Sequence, residues 1–355
     1  MTDSGWELPD WRRQLPRPEV TARLRAVPED FQVWELPLVE PQGTGSHLWL
    51  EVRKRGANTQ WVAKRLAAAA GAPLRDVGFA GMKDRHAVTT QWFSLGLQQA
   101  ENDQWRDWDI PDVSILQAHR HGRKLQRGAL RGNRFRLLLR DIEGPAAPLE
   151  DRLDSIRRTG VPNYFGPQRF GRAGANIPRA AHWLESGGRI GRSQRSIYLS
   201  VVRSYLFNRL LDQRVELGSW NRLLDGDLAV LDGRRSTFPC SLPDPDLERR
   251  CAGFDIHPTG PLPGREGKRG NSRPAGEAAA LEEDVLRRFD TLVQGLQRAG
   301  VEAGRRSLRV APAELDWQWD GSCLALEFCL PPGAYATSVL RELVLTDPDT
   351  ICEDT

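Results

Sequence analysis

The sequence predicts an α+β protein, with a mixed, largely antiparallel sheet in one domain and a second α+β domain inserted into it. Three observations predict this class. Short alternating runs crowd the N-terminal part. Near Gly160 the texture changes to loops rich in glycine and proline and to longer helical stripes. A strand–helix unit after Cys323 then restores the earlier character. The first and last parts can share one sheet with the middle inserted, which sets the domains at 1–158 plus 307–355 and at 159–306.

The elements follow in order. Segments 31–38 and 48–53 read as strands, and in the second Trp49 and Glu51 alternate with Leu48, Leu50 and Val52. Asn58 or Thr59 caps a helix over 60–70 that stops at Gly71. Segments 88–97 and 113–116 are extended. Segment 133–139 is a strand with Asn133, Phe135 and Leu137 on one face and Arg134, Arg136 and Leu138 on the other. A short helix covers 149–158. Residues 160–171 hold two prolines and three glycines, which is loop chemistry. Helices follow over 179–185 and 197–216. Segment 257–276 carries glycine, proline and arginine without periodicity and reads as a mobile loop. Over 281–299, Leu281, Val285, Phe289, Leu292 and Leu296 form the stripe of one helix. A strand over 323–330 meets Pro331-Pro332-Gly333, and helix resumes over 335–345.

Composition excludes several classes. The 355 residues suffice for two domains and a sizeable core. No apolar run has the length that spans a bilayer, so no membrane partner is expected. The N-terminus has neither a basic start nor an apolar core, so no secretory signal is expected. Cys240, Cys251, Cys323, Cys329 and Cys352 are odd in number and include no Cys-x-x-Cys pair. Neither a zinc site nor a disulfide framework is expected, and a reducing cytoplasm fits. Cys323 and Cys329 read as small apolar core residues. His119-x-His121 lacks a cysteine partner or helical spacing and reads as part of a basic strip rather than a metal site. Phosphate-binding and nucleophile-elbow motifs are absent.

The net charge is only +3, but it is segregated. From Gln117 to Arg140 there are seven arginines and one lysine with no acid, and from Arg157 to Arg209 ten arginines against Glu185 alone. Such a cationic face attracts a phosphate backbone, and arginine adds bidentate contacts and stacking. Within this setting, residues 78–93 carry one carboxylate, Asp84, between Lys83 and Arg85, after a small-residue turn and before a β-prone run. A surface charge cluster and a rigidly held reactive acid both fit that tripeptide. Asn133 and Phe135 lie two apart on a strand, where amide and ring can floor a nucleobase pocket or begin a buried strand. Phe31 and Tyr335 can likewise stack on a base or serve the core.

Longer strings resolve more. Gly81, Lys83, Asp84, Ala87, Thr89 and Gln91 stand in the pattern Gly-x-Lys-Asp-x-x-Ala-x-Thr-x-Gln. With Pro28-Glu29-Asp30-Phe31, Lys124-Leu125, Gly128-Ala129-Leu130, Gly132-Asn133-x-Phe135, the 163–171 block, Arg203-Ser204-x-x-Phe207-Asn208 and 336–343, the chain resembles the TruD family of tRNA pseudouridine synthases over nearly its whole length. The resemblance implies a pseudouridine synthase-like catalytic domain from 1–158 plus 307–355, and a TruD-specific insert at 159–306. It implies that Asp84 is the catalytic aspartate and that Phe31, Asn133 and Tyr335 line a uridine pocket, with Lys83, Phe135 and Arg25 nearby. Tyr335 stands where phenylalanine also occurs in the family, and Arg25 where members can carry lysine. The implied substrate is tRNA, at the uridine of position 13. No metal or cofactor is implied, nor a protein partner, so a cytoplasmic monomer is expected.

That reaction breaks the N1–C1′ bond, turns the base and rejoins it through C5, with no net oxidation and no leaving group. One carboxylate suffices, as nucleophile at sugar or base or as base at C2′. A neighbouring cation favours the carboxylate form of such an acid, and Arg25 is a candidate besides Lys83 and Arg85. A non-catalytic RNA-binding or RNA-folding module would use the same basic face without needing Asp84. A nucleoside or sugar hydrolase would use Asp84 but release free base.

Overall fold

The computed structural model describes residues 8–41, 43–97, 104–267 and 273–346. In chain order the first elements are β1 (Thr21–Leu24), β2 (Phe31–Pro37), β3 (His47–Arg55), α1 (Thr59–Ala69), β4 (Val77–Phe79), β5 (Val88–Gly96), β6 (Val113–His121), β7 (Leu130–Glu143) and α2 (Ala146–Thr159). The middle adds β8 (Val161–Pro162), α3 (Asn176–Ser186), α4 (Arg192–Glu216), β9 (Leu228–Leu231), β10 (Thr237–Pro239), α5 (Pro245–Ala252), β11 (Ile256–Leu262), α6 (Gly276–Arg287), α7 (Asp290–Arg298) and β12 (Gly304–Ser307). The chain closes with β13 (Arg309–Val310), β14 (Ala313–Asp320), β15 (Cys323–Leu330) and α8 (Ala336–Leu343).

The large sheet runs β14-β15-β7-β2-β5-β3-β6, with β1 also on β7 and β4 on β5. Among the described strands of this sheet only β2 and β5 pair in parallel with each other; the other strand pairings are antiparallel. The mixed, largely antiparallel sheet is therefore as expected. The C-terminal β15 lies against β7 from Leu324↔Leu139 to Leu330↔Asn133, so the two ends of the chain share this sheet. Period-two alternation explains which faces are buried. Phe31 and Val33 of β2, Phe135, Leu137 and Leu139 of β7, and Leu324, Leu326, Phe328 and Leu330 of β15 pack against Leu149, Leu153 and Ile156 of α2 and Val339, Leu340 and Leu343 of α8. Each such side chain contributes about 1.5–3 kcal/mol on removal from water. A separate core joins Leu48, Leu50 and Val52 of β3 to Val62, Ala63 and Leu66 of α1, whose start is capped by Asn58 accepting from the Gln60 N–H. In the middle segment α4 is the hub, packing Val201, Tyr205, Phe207, Leu210 and Leu211 among α3, α7 and the 163–171 turns.

Four expectations need correction. Residues 256–262 form a strand, β11, which takes up the start of the span read as a mobile loop. Proline and glycine hid it, yet it pairs with β9 over its first half and β12 over its second. Residues 268–272 of that span lie outside the described residues. The 281–299 stripe is two helices, α6 and α7, which meet at Arg288 and Phe289. Cys323 and Cys329 sit on the half-exposed face of β15, because the leucines and Phe328 take the core-facing phase. His121 is buried with its ring stacked on Trp49 at 4.2 Å, rather than on a basic strip. Cys352 lies outside the described residues. Among the described residues no helix is long and apolar enough to cross a membrane.

Glu342 of α8 is fully buried and accepts the Gln14 N–H at 3.1 Å. Burial pushes its carboxyl up from 4.5 to about 7, although Arg341 and Arg13 pull it down. A raised folded-state value means that the native state holds the proton more tightly than the unfolded chain. Its stabilising effect is complete below pH 4.5 and fades as pH rises towards 7. Glu342→Gln should therefore match the parent in urea unfolding near pH 4.5 and exceed it by about 3 kcal/mol at pH 8. Equal stabilities at pH 8 would contradict this.

Candidate functional site

Asp84 lies in the turn between β4 and β5, and four separate groups fix that turn. Gln91 of β5 donates through Nε2 to the Gly81 carbonyl at 3.2 Å. The Thr59 hydroxyl, at the first position of α1, donates to Gln91 Oε1 and accepts the Lys83 N–H, each at 3.0 Å. The Gly128 N–H donates to the Ala80 carbonyl at 2.7 Å. Lys54 of β3, wholly buried, donates through Nζ to the carbonyls of Ala57 at 2.6 Å and Asp84 at 2.8 Å. The backbone of the carboxylate is thus held from β3, β5, α1 and the β6–β7 connection.

The side chain of Asp84 is 33 % exposed, and its Oδ2 accepts from Arg25 Nη2 at 2.8 Å. Arg25 is 8 % exposed and has a left-handed backbone, φ +58°. A non-glycine residue in that region is strained, and such strain gathers at functional sites. The guanidinium lies over the Phe31 ring, 4.1 Å from its centroid. The Pro28–Asp30 turn sets this geometry: the buried Asp30 accepts the Val27 N–H at 3.1 Å and grips Arg140 through Nε and Nη2 at 2.8–3.0 Å. Phe31 follows at once as the first residue of β2.

Lys83 does not pair with Asp84. It turns inward, 5 % exposed, and donates to Glu35 Oε2 at 2.7 Å and Asn133 Oδ1 at 2.9 Å. Glu35, 1 % exposed, also accepts the Trp92 N–H at 3.2 Å. Register explains the meeting, since Glu35 of β2 and Leu330 of β15 both lie directly across from Asn133 of β7. Tyr335 follows five residues after Leu330 as the N-cap of α8, so it enters from this same end of the sheet. Arg169 Nε donates to its hydroxyl at 3.2 Å, and Phe165 meets its ring edge-on at 6.1 Å. Asn208 holds Phe165 reciprocally, accepting its N–H at 2.9 Å and donating to its carbonyl at 3.0 Å. Arg306 lies over Phe165 at 4.1 Å, and burial pulls its guanidinium down to about 10.

The structure thus brings Asp84, Arg25, Phe31, Lys83 and Asn133 together, with Tyr335 at the same sheet end. Phe135 is a correction: it is buried, stacked on Phe328 at 5.5 Å and edge-on to Phe31 at 6.2 Å, so it belongs to the core. Phe31, 2 % exposed, supports Arg25 and offers no open face. Lys83 is likewise buried. Sequence reasoning missed Lys54 and Glu35. Both stand at core-facing positions of alternating strands, in phase with Val52 and Val33 respectively. A charge in that phase is the signal that could have found them.

The fold is that of a pseudouridine synthase. A crystal structure assigned to tRNA pseudouridine synthase D (TruD) from Methanosarcina mazei matches it with a TM-score of 0.71 at 22% identity, covering 94% of this chain and 95% of that one. The family model described as "tRNA pseudouridine synthase D (TruD)" matches residues 15–177 and 178–343. The tRNA pseudouridine synthase D of Methylococcus capsulatus is 48% identical over 340 residues, 94% of this chain and 95% of its own length. That of Nitrosococcus oceani is 46% identical, covering 93% and 92%. The chain belongs to the tRNA pseudouridine synthase D (TruD) family.

Close packing at the site gives a structural check. A Cβ on Gly132 would lie 2.5 Å from the Leu330 carbonyl oxygen, between β7 and β15 beside Asn133. Gly132→Ala should push these strands apart, with a loss of about 1–3 kcal/mol in urea unfolding. Unchanged stability would mean that the strands are not packed this tightly.

Proposed function

We propose that this protein converts a uridine of tRNA to pseudouridine, at position 13, with Asp84 as the catalytic residue. The observation that carries the reading is the reachable carboxylate of Asp84, one oxygen held by Arg25 and its backbone anchored by buried Lys54. Isomerisation requires a rigid acid, a place for an extruded base and no redox partner. The N1–C1′ bond breaks, a C5–C1′ bond forms, the C5 proton is lost and N1 gains one. Asp84 acts at the sugar or base, Asn133 hydrogen-bonds the uracil and the Tyr335 ring stacks on it. Stacking stabilises an extruded base by about 1–3 kcal/mol. Exposed arginines such as Arg123 and Arg127, on the connection that touches the Asp84 turn through Gly128, and Arg131 at the start of β7, bind the RNA backbone. Residues 1–158 plus 307–355 form the catalytic domain and 159–306 the insert, and the enzyme acts in the cytoplasm as a monomer.

Incubation with unmodified tRNA, followed by carbodiimide-blocked primer extension, should show pseudouridine at position 13. Binding without product would favour an RNA-binding module, and free uracil a hydrolase. Phe31→Ala removes the support under Arg25. It should slow single-turnover conversion at least about tenfold and leave tRNA affinity within about twofold. An unaltered rate would remove Phe31 and the Arg25 geometry from the mechanism.

A further inference from the structure

Asn133 is set in one orientation by two buried charges, Lys83 and Glu35. Lys83 Nζ has only donors, so the Asn133 atom 2.9 Å from it must be the carbonyl oxygen; a flipped amide would put donor against donor. Lys83 cannot swing away without leaving Glu35 unpaired, since Glu35 Oε2 accepts from Lys83 at 2.7 Å and both side chains are at most 5 % exposed. Glu35 is itself fixed through Oε1 by the Trp92 N–H at 3.2 Å. Trp92, Glu35, Lys83 and Asn133 therefore form one chain of polar contacts from β5 across β2 to β7. At its end the Asn133 amide nitrogen has no protein acceptor among the described residues and is not fully buried.

We infer that Glu35 and Lys83 are positioning residues for specificity: they lock Asn133 so that it presents only N–H donors, which select a carbonyl oxygen of uracil. This deepens the proposed function and rests on it. An asparagine free to rotate could accept from an amine as readily as donate to a carbonyl, and so could not distinguish uracil O4 from the cytosine amine. A locked one leaves donor facing donor when an amine is offered, and an unpaired buried polar group is heavily penalised.

The test uses the full-length protein and tRNA carrying uridine, 2-thiouridine or 4-thiouridine at the target position. Sulfur is a weaker acceptor than oxygen. The parent should convert one of the two thio substrates about fivefold to tenfold more slowly than uridine under single turnover. Asn133→Ala should lose that difference. Lys83→Met, which removes the donor from the Asn133 oxygen, and Glu35→Gln, which loosens the hold on Lys83, should shrink it towards about twofold while tRNA affinity stays near the parent's. A merely structural role would slow all three substrates equally and keep their ratio. Should Lys83→Met fail to fold, Glu35→Gln and Asn133→Ala carry the comparison. A parent indifferent to sulfur, or a parental ratio retained by Asn133→Ala or Glu35→Gln, overturns the inference while leaving isomerisation intact. A parent that converts no uridine overturns the proposed function and this inference with it.

Discussion

The Arg25–Asp84 ion pair is the contact on which the site depends, and each partner is held by a different part of the fold. Arg25 is held by its strained backbone, by the Phe31 ring beneath it and by the Asp30–Arg140 pairing that shapes the turn before Phe31. Asp84 is held through its backbone by Lys54 and by the Thr59–Gln91 pair on the same turn. With Arg25 buried and Asp84 one-third exposed, the attraction is set against the cost of desolvating the guanidinium, so the pair adds little net stability. Its value here is positional: it orients one carboxylate oxygen and leaves the side chain one-third exposed.

The segments that resemble a family in sequence turn out to touch in space. The Pro28–Asp30 turn, the Asp84 turn and Gly132-Asn133 meet through Arg25, Lys83 and Glu35. The 163–171 block is tied to the 203–208 block by Asn208 and to α8 by the Ser338 hydroxyl, which donates to the Tyr164 carbonyl at 3.0 Å. Gly166 allows this closeness, because a Cβ there would approach Tyr335 Cδ1 to 3.1 Å and Thr337 Oγ1 to 2.9 Å. The middle segment, though distant in sequence from Asp84, therefore holds the Tyr335 ring through Phe165 and Arg169.

Much of this was legible in the sequence because regular periodicity and capping speak for themselves. The Asn58 cap and the alternation of β3 and β7 formed where the pattern indicated, and the helix expected over 197–216 formed with its start five residues earlier, at Arg192. Strands β9, β11 and β12 were not legible, since each is short or interrupted by proline or glycine and gains its partners only from distant segments. The candidate site divides the same way. Asp84 and Asn133 stood out by type and neighbours, and Arg25 only through the family resemblance. Phe135 did not reveal that it was a core ring, because period two shows which residues share a face but not what covers it. Lys54 and Glu35 were overlooked because charges are ordinarily solvated, and only their phase with buried valines marks them.

The claim at the centre is that the Asp84 carboxylate carries out the rearrangement. Release of tritium from tRNA labelled at C5 of its uridines reads this directly, because the C5 proton must leave as the new bond forms. The account predicts prompt release with the parent and, with Asp84→Asn, a rate lower by on the order of 10⁴-fold or more at unchanged tRNA binding. Release by Asp84→Asn at the parent's rate would contradict it.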